Sequence, residues 1–310
     1  MRVLITGASG VIGLNLISEF IEEYGTNYQI FAQHTREIPP KILLEIDPNS
    51  QVTHVKNILD VVGELKFDLI INASGISQPS LFVKDPESIV QSNINDPLVL
   101  FYSLATYGTF IQMSTSEIYS GCENRPCAED HRGLIDGSNP RRIYMITKEI
   151  SELALKNVAS LQQTVLIFRV SLVYGKYYLP PDERVLYSFV EQALGGGINP
   201  KGGLNNIRRY LHSHDLFRYL QELREKLSAG FYIFNVGSEE KVTIAELASL
   251  IAKLSDSKLI FGENQISQSG APNEVWVDTR KLQKFTNLQP TISLEEGLTK
   301  VIRWRKNLTL

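Results

Sequence analysis

Thr6-Gly7-Ala8-Ser9-Gly10-Val11-Ile12-Gly13 is the stretch whose reading decides the fold. Three glycines stand at Gly-x-x-Gly-x-x-Gly spacing, and each has a physical task. Gly7 permits a tight turn, Gly10 lets backbone approach a pyrophosphate, and Gly13 lets a helix pack closely on a strand. Upstream, Val3-Leu4-Ile5 forms the apolar centre of Arg2–Thr6, which reads as a buried parallel strand. Downstream, Val11, Ile12, Leu16, Phe20 and Ile21 recur at helical spacing across Val11–Tyr24. The start of that helix offers N–H groups and a positive dipole end to phosphates. Strand, glycine turn and helix in this order predict a dinucleotide site built from Gly7, Ser9, Gly10, Val11, Ile12 and Gly13.

Working outward, Tyr28–Ala32, Phe67–Asn72, Thr109–Ser114 and Thr164–Val170 read as further strands. Helical patterns lie between them, at about Ile89–Tyr107 and Tyr144–Ser160. This alternation predicts an α/β fold with a doubly wound parallel sheet of the Rossmann type. After Gly175 the texture changes: Pro180-Pro181, Gly195-Gly196-Gly197 and Gly202-Gly203 mark loops, and helices are expected at Val185–Leu194, Leu216–Leu227 and Ile244–Leu254. Residues 1–175 are therefore expected to form the cofactor domain. Residues 176–310 are expected to form mainly a smaller substrate-binding lobe, with segments in about 205–240 returning to the sheet.

With 310 residues, 43% hydrophobic and 21% charged, the composition is that of an ordinary globular enzyme. A net charge of −3 provides no basic field for nucleic acid or a membrane surface. No stretch reaches the ~18 apolar residues of a membrane span. A cytoplasmic protein is expected. Cys122 and Cys127 form no Cys-x-x-Cys and show no partner histidine pattern, so they read as reduced loop thiols and no metal site is expected.

The chemistry points to two segments. Tyr144-Met145-Ile146-Thr147-Lys148 places a tyrosine and a lysine on one helix face at i, i+4. A free phenol, with a pKa of about 10, is a poor base, and a neighbouring cation is expected to lower it. Such a pair suits proton transfer with a sugar hydroxyl while hydride moves to or from a nicotinamide. Ser114-Thr115-Ser116-Glu117 follows a strand and lies at the sheet's carboxyl edge, where open α/β sheets bind ligands. Thr115 can hydrogen-bond the reacting oxygen. Glu117 is either a second acid or base or a carboxylate stabilised at a helix start. No carboxylate stands at the end of the second strand, where NAD sites usually hold the ribose. Arg36 stands there instead, to meet a 2′-phosphate or to remain a solvated charge. The cofactor is read as NAD or NADP, with NADP favoured.

Together these segments resemble the extended short-chain dehydrogenases, specifically the NAD-dependent epimerase/dehydratase family. The resemblance spans nearly the whole chain, through Asn72-Ala73-Ser74, Asn93, Arg169-Val170-Ser171-Leu172-Val173-Tyr174-Gly175, Arg208-Arg209-Tyr210 and Phe234-Asn235-Val236-Gly237. It implies Thr115, Tyr144 and Lys148 as a catalytic triad, with Ser116 and Glu117 assisting after sugar oxidation. It implies Asn57 and Ile58 beside adenine, and Ala73, Ser74 and Val170 along the cofactor. It also implies Arg208 on the substrate's pyrophosphate, against its bland reading as a surface cation. A nucleotide-sugar substrate and a homodimer follow from it too. Ser-Thr-Ser-Glu-Ile-Tyr is similar to sugar 4,6-dehydratases and UDP-glucuronate decarboxylases. Leu172, where the family usually has Asn, is more like 4-ketosugar reductases. Two reactions stay open: internal redox through a 4-keto sugar (epimerase, dehydratase or decarboxylase), or NADPH-dependent reduction of a 4-ketosugar nucleotide. A non-catalytic NADP(H)-binding regulator would usually have lost Tyr144 or Lys148.

Overall fold

The computed structural model describes residues 1–77, 81–123, 125–134, 137–260 and 273–309. Its centre is a seven-stranded, all-parallel sheet made of β1 (Arg2–Thr6), β2 (Gln29–Gln33), β3 (Val52–Val55), β4 (Phe67–Asn72), β5 (Leu104–Thr115), β6 (Thr164–Val170) and β10 (Gly230–Val236). The spatial order is β10-β6-β5-β4-β1-β2-β3. The chain runs outward from β1 to β3, then restarts at β4 on the other side. The carboxyl end of β1, where the glycine turn sits, is therefore the topological switch point.

Alternate side chains of each strand enter opposite cores, as a sheet covered on both faces requires. Val3 and Ile5 join one cluster and Leu4 the other; Leu166 and Phe168 oppose Val165 and Ile167. The first face is covered by α1 (Val11–Tyr24), with α2 (Pro40–Ile46) beside it. The short helices α3 (Leu81–Lys84), α4 (Pro86–Val90) and α5 (Asp96–Phe101) lead to β5, and Leu100 and Phe101 fill the second face with Leu155 of α6 (Arg142–Val158).

The helix expected to reach Tyr107 stops at Phe101. Ser103 N–H bonds the Leu100 carbonyl, while the Ser103 carbonyl accepts from Phe67 N. The chain is thus already being captured by the edge of β4, and β5 starts at Leu104, before the predicted Thr109. β3, absent from the sequence reading, pairs with β2 from Ile30–Val52 to Gln33–Val55.

After β6 come β7 (Leu172–Tyr174), α7 (Val185–Leu194), β8 (Gly197–Ile198), β9 (Ile207–His212) and α8 (Ser213–Lys226). Beyond β10 lie β11 (Lys241–Thr243), α9 (Ile244–Ser255), β12 (Lys258–Leu259), α10 (Arg280–Thr286) and α11 (Leu294–Thr309). Within 205–240, β10 joins the large sheet beside β6, whereas β9 joins a small sheet of order β11-β9-β7. Thr243 and Glu246 form a reciprocal capping box that starts α9. Gly175 marks the close approach of the two halves: a Cβ there would lie 2.4 Å from Ser213 Oγ and 2.6 Å from the Asn15 side chain. Asn15 of α1 in turn clasps the Tyr177 backbone, accepting from its N–H at 3.1 Å and donating to its carbonyl at 2.8 Å.

Candidate active site

The glycine turn adopts the form its spacing predicts. Gly7 has φ +62°, in the left-handed region. A Cβ on Gly7 would lie 2.5 Å from the Ala73 carbonyl oxygen, and one on Gly13 would lie 2.4 Å from the Gly7 carbonyl oxygen. Among the described residues, Gly7 O is the atom nearest to where a Cβ on Gly10 would stand, at 3.1 Å, and no side chain caps α1. No acidic residue occupies the first turn of α1. This cradle of glycine backbone and helix N–H groups, with Ser9, Val11 and Ile12 on it, fits a dinucleotide pyrophosphate.

The other expected cofactor positions stand along the carboxyl ends of neighbouring strands. Asn72 is fully buried and ties β1, β4 and β5 together: Thr6 Oγ1 donates to its Oδ1 at 2.6 Å, and its Nδ2 donates to Gln112 Oε1 at 2.9 Å. Ser74 N also donates to Asn72 Oδ1, which holds the Ala73-Ser74 backbone beside Gly7. Exposed Arg36 follows β2, and its guanidinium donates to the Ser9 carbonyl at 3.4 Å. Asn57 follows β3 and accepts from Leu59 N at 3.1 Å, capping a short turn that contains Ile58. Val170 ends β6, in register with Thr115 and Val236.

Thr115, Tyr144 and Lys148 come together where β5 meets α6. Tyr144 lies beside Thr115, whose Oγ1 accepts from Glu117 N at 3.1 Å. Tyr144 is buried, with its ring stacked on Phe82 at 5.3 Å between centroids. Burial pushes its phenol well above the ordinary value, and the Glu117 charge adds to the rise, against the Thr115 hydrogen bond and Arg141. The expected lowering by Lys148 is not what acts here. Lys148 Nζ donates to the carbonyls of Met113 at 3.1 Å and Ser74 at 3.3 Å. Desolvation outweighs the cation, and it acts on Lys148 too: burial lowers the ammonium to about 8, with Glu152 opposing.

Glu117 is gripped by Arg141. Arg141 Nε donates to Glu117 Oε2 at 3.0 Å, and Nη2 donates to Oε1. The Arg141 guanidinium also lies over Phe82, 5.6 Å from the ring centroid. Ser116 is buried beside it in the turn Ser116–Tyr119. Arg208, on β9, stands 91 positions after Glu117 and donates to the Asn273 carbonyl at 3.3 Å; burial lowers its guanidinium, and the charges of Tyr210, Glu117 and Arg141 also act on it. The fold therefore brings Thr115, Tyr144, Lys148 and Glu117 together, with Arg208 within range of the Glu117 charge. Sequence reading missed the roles of Arg141 and Phe82. Neither residue has a spacing signal, because their partners lie on other elements.

Over residues 3–237 the chain matches the NAD dependent epimerase/dehydratase family. The protein belongs to this family. A dTDP-glucose 4,6-dehydratase of Streptomyces griseus is 22% identical over 326 residues, covering 98% of this chain and 93% of that protein. UDP-glucuronic acid decarboxylase 1 of Danio rerio is 27% identical over 314 residues, covering 98% of this chain and 72% of that protein. A solved UDP-glucuronic acid 4-epimerase of Bacillus cereus, in complex with UDP-glucuronic acid and NAD, shares the fold with a TM-score of 0.80 at 22% identity, covering 99% and 100% of the two chains. This chain is thus an enzyme of the extended short-chain dehydrogenase type. Among the described residues, no helix is long and apolar enough to cross a membrane.

Two further clusters support the crevice of this epimerase/dehydratase. Arg169, at the end of β6, donates to Glu152 Oε2 at 2.7 Å, to Tyr119 Oη at 2.7 Å and to the Glu129 carbonyl at 2.7 Å. Tyr119 then donates to Asn235 Oδ1 at 2.7 Å. This buried network locks α6, β6, β10 and the loop after Glu117 together. On the far side of that loop the two thiols, expected to lack a histidine, meet one. Cys122, Cys127 and His131 each offer a ligand atom within 4.8 Å of the others.

Proposed function

We propose that this chain is an NAD(P)-dependent enzyme acting on a nucleotide sugar through a 4-keto intermediate, as an epimerase, dehydratase or decarboxylase. One observation carries the reading: Thr115, Tyr144 and the Ser116–Glu117 turn converge at the carboxyl end of β5, with Lys148 buried beside them. A dinucleotide held by the residues of the glycine cradle, with Ala73, Ser74, Asn57, Ile58 and Val170 along it, would supply hydride acceptance and return at C4 of the sugar. The Tyr144 oxygen takes the proton of the C4 hydroxyl, and Thr115 orients that hydroxyl. Lys148, its ammonium already directed at the Met113 and Ser74 carbonyls beside the glycine turn, reaches toward the nicotinamide ribose. Arg208 binds the substrate's pyrophosphate through charge-assisted hydrogen bonds. Glu117, held by Arg141, serves the middle step as a base toward the carbon next to the ketone, with Ser116 beside it.

NADP is the favoured cofactor. No carboxylate ends β2, and the Arg36 guanidinium stands beside the glycine turn. The domain division at residue 175 and a homodimer are part of the same reading. α6 leaves Ile146, Ile150 and Leu153 exposed at i, i+4, i+7 spacing, which supports a helix-to-helix interface. One measurement bears on that part, the molar mass in solution.

One observation favours the second reading, an NADPH-dependent 4-ketosugar-nucleotide reductase. Both carboxylate oxygens of Glu117 are engaged by Arg141, as suits a purely structural residue. The experiment is to identify the cofactor extracted from purified enzyme and to follow its redox state during turnover on nucleotide sugars and 4-ketosugar nucleotides. Turnover without net cofactor consumption, slowed by Glu117→Gln about 100-fold or more, supports internal redox. Stoichiometric NADPH oxidation by a 4-ketosugar nucleotide refutes it.

A further inference from the structure

Cys122, Cys127 and His131 fall within ten consecutive residues, Cys-x-x-x-x-Cys-x-x-x-His, on the loop that follows the Glu117 turn. Both cysteines are buried, packed with Tyr119, Val277 and the partly buried Ile118 and Val275. His131 is the solvent-side member, its side chain 30% exposed. All three ligand atoms lie within 4.8 Å of one another. In a tetrahedral zinc site, ligand atoms stand about 3.5–3.8 Å apart, given Zn–S of about 2.3 Å and Zn–N of about 2.0 Å. The cluster needs a contraction of roughly an ångström, not a refolding.

The loop is already pinned where the ligands stand. Cys127 N donates to the Trp276 carbonyl at 2.8 Å, and the Cys127 carbonyl accepts from Asp278 N at 2.9 Å and from Asn235 Nδ2 at 2.9 Å. His131 Nδ1 accepts from Ala128 N at 3.1 Å, which sets the ring's direction across the loop. We propose that Cys122, Cys127 and His131 form a zinc-binding site, two thiolates and one imidazole, with water in the fourth position on the exposed His131 side. Soft thiolates with imidazole select zinc over magnesium or calcium, whose ligands are oxygens. The site would cross-link the 122–131 loop, which backbone hydrogen bonds already tie to the 276–278 segment, a structural role apart from hydride or proton transfer.

The test uses the full chain, reduced and stripped with a chelator, then titrated with cobalt(II) and zinc(II). One equivalent of cobalt should give a thiolate-to-cobalt charge-transfer band and tetrahedral visible bands, displaced by zinc. Zinc should also protect both thiols from a disulfide reagent and raise Tm. Cys127→Ser should abolish the charge-transfer band or halve it, and His131→Gln should weaken cobalt affinity at least 10-fold. If Cys127→Ser does not fold, His131→Gln, on the solvent side, still decides the matter. A reduced wild-type chain that shows no charge-transfer band would overturn the proposal. So would a His131→Gln variant that binds cobalt as the wild type does, or thiols that stay fully reactive under excess zinc.

Discussion

Lys148 is a buried charge, and its cost to stability can be worked out. The side chain is 3% exposed, and its ammonium lies at about 8 against an ordinary 10.5. The unfolded chain therefore binds a proton that the folded chain has begun to release between about pH 8 and 10.5. Stability must rise with pH across that window, because the unfolded state holds more protons there. Below the folded value the charge is buried intact and the penalty is complete, about 3 kcal/mol for that gap. Substitution Lys148→Met removes the titration. The stability of wild type relative to Lys148→Met should increase by about 2 kcal/mol between about pH 7 and pH 9.5. Taking the difference between the two proteins cancels the buried tyrosines, which titrate in both. Urea unfolding at several pH values gives the number, and the variant should at the same time lose nucleotide-sugar turnover. A difference that stays flat with pH, or falls, would refute the view that desolvation governs this lysine.

Three more outcomes follow from contacts already described. Gly13→Ala sets a Cβ 2.4 Å from the Gly7 carbonyl oxygen; dinucleotide affinity should collapse and stability fall by about 1–3 kcal/mol, measured by cofactor titration and thermal unfolding. Arg36→Ala should weaken NADP binding about 10-fold or more by removing a charge-assisted contact and leave NAD binding nearly unchanged; equal losses for both would count against the phosphate role. Arg169→Met strands the buried Glu152 carboxylate and should cost about 3–5 kcal/mol in denaturant unfolding, whereas the double variant with Glu152→Leu should recover much of that loss.

The strand–glycine turn–helix of the fold was legible because its determinants are local. The glycine turn, with the strand before it and the helix after, is one continuous stretch whose function depends on backbone shape and steric room, and glycine spacing encodes both. Tyr144 and Lys148 share a helix face by periodicity alone, and Thr115 ends a strand that its own apolar alternation announces. What those residues experience was not legible. The rise of the Tyr144 phenol comes from burial against Phe82 and from Glu117, and the donors of Lys148 point at carbonyls of β5 and of the loop after β4. The end of the helix at Phe101 was set by β4 capturing Ser103, a partner 36 positions away. Arg141 meets Glu117 across 24 positions, and His131 reaches the two thiols because the loop folds back onto the 276–278 segment. By itself the sequence determined the fold class, the glycine turn and the helix face shared by Tyr144 and Lys148, since short-range geometry is written in neighbouring residues. Tertiary structure alone decided which charges are buried, which are paired, and therefore which can move a proton, because desolvation and ion pairing depend on whatever the fold places within a few ångströms.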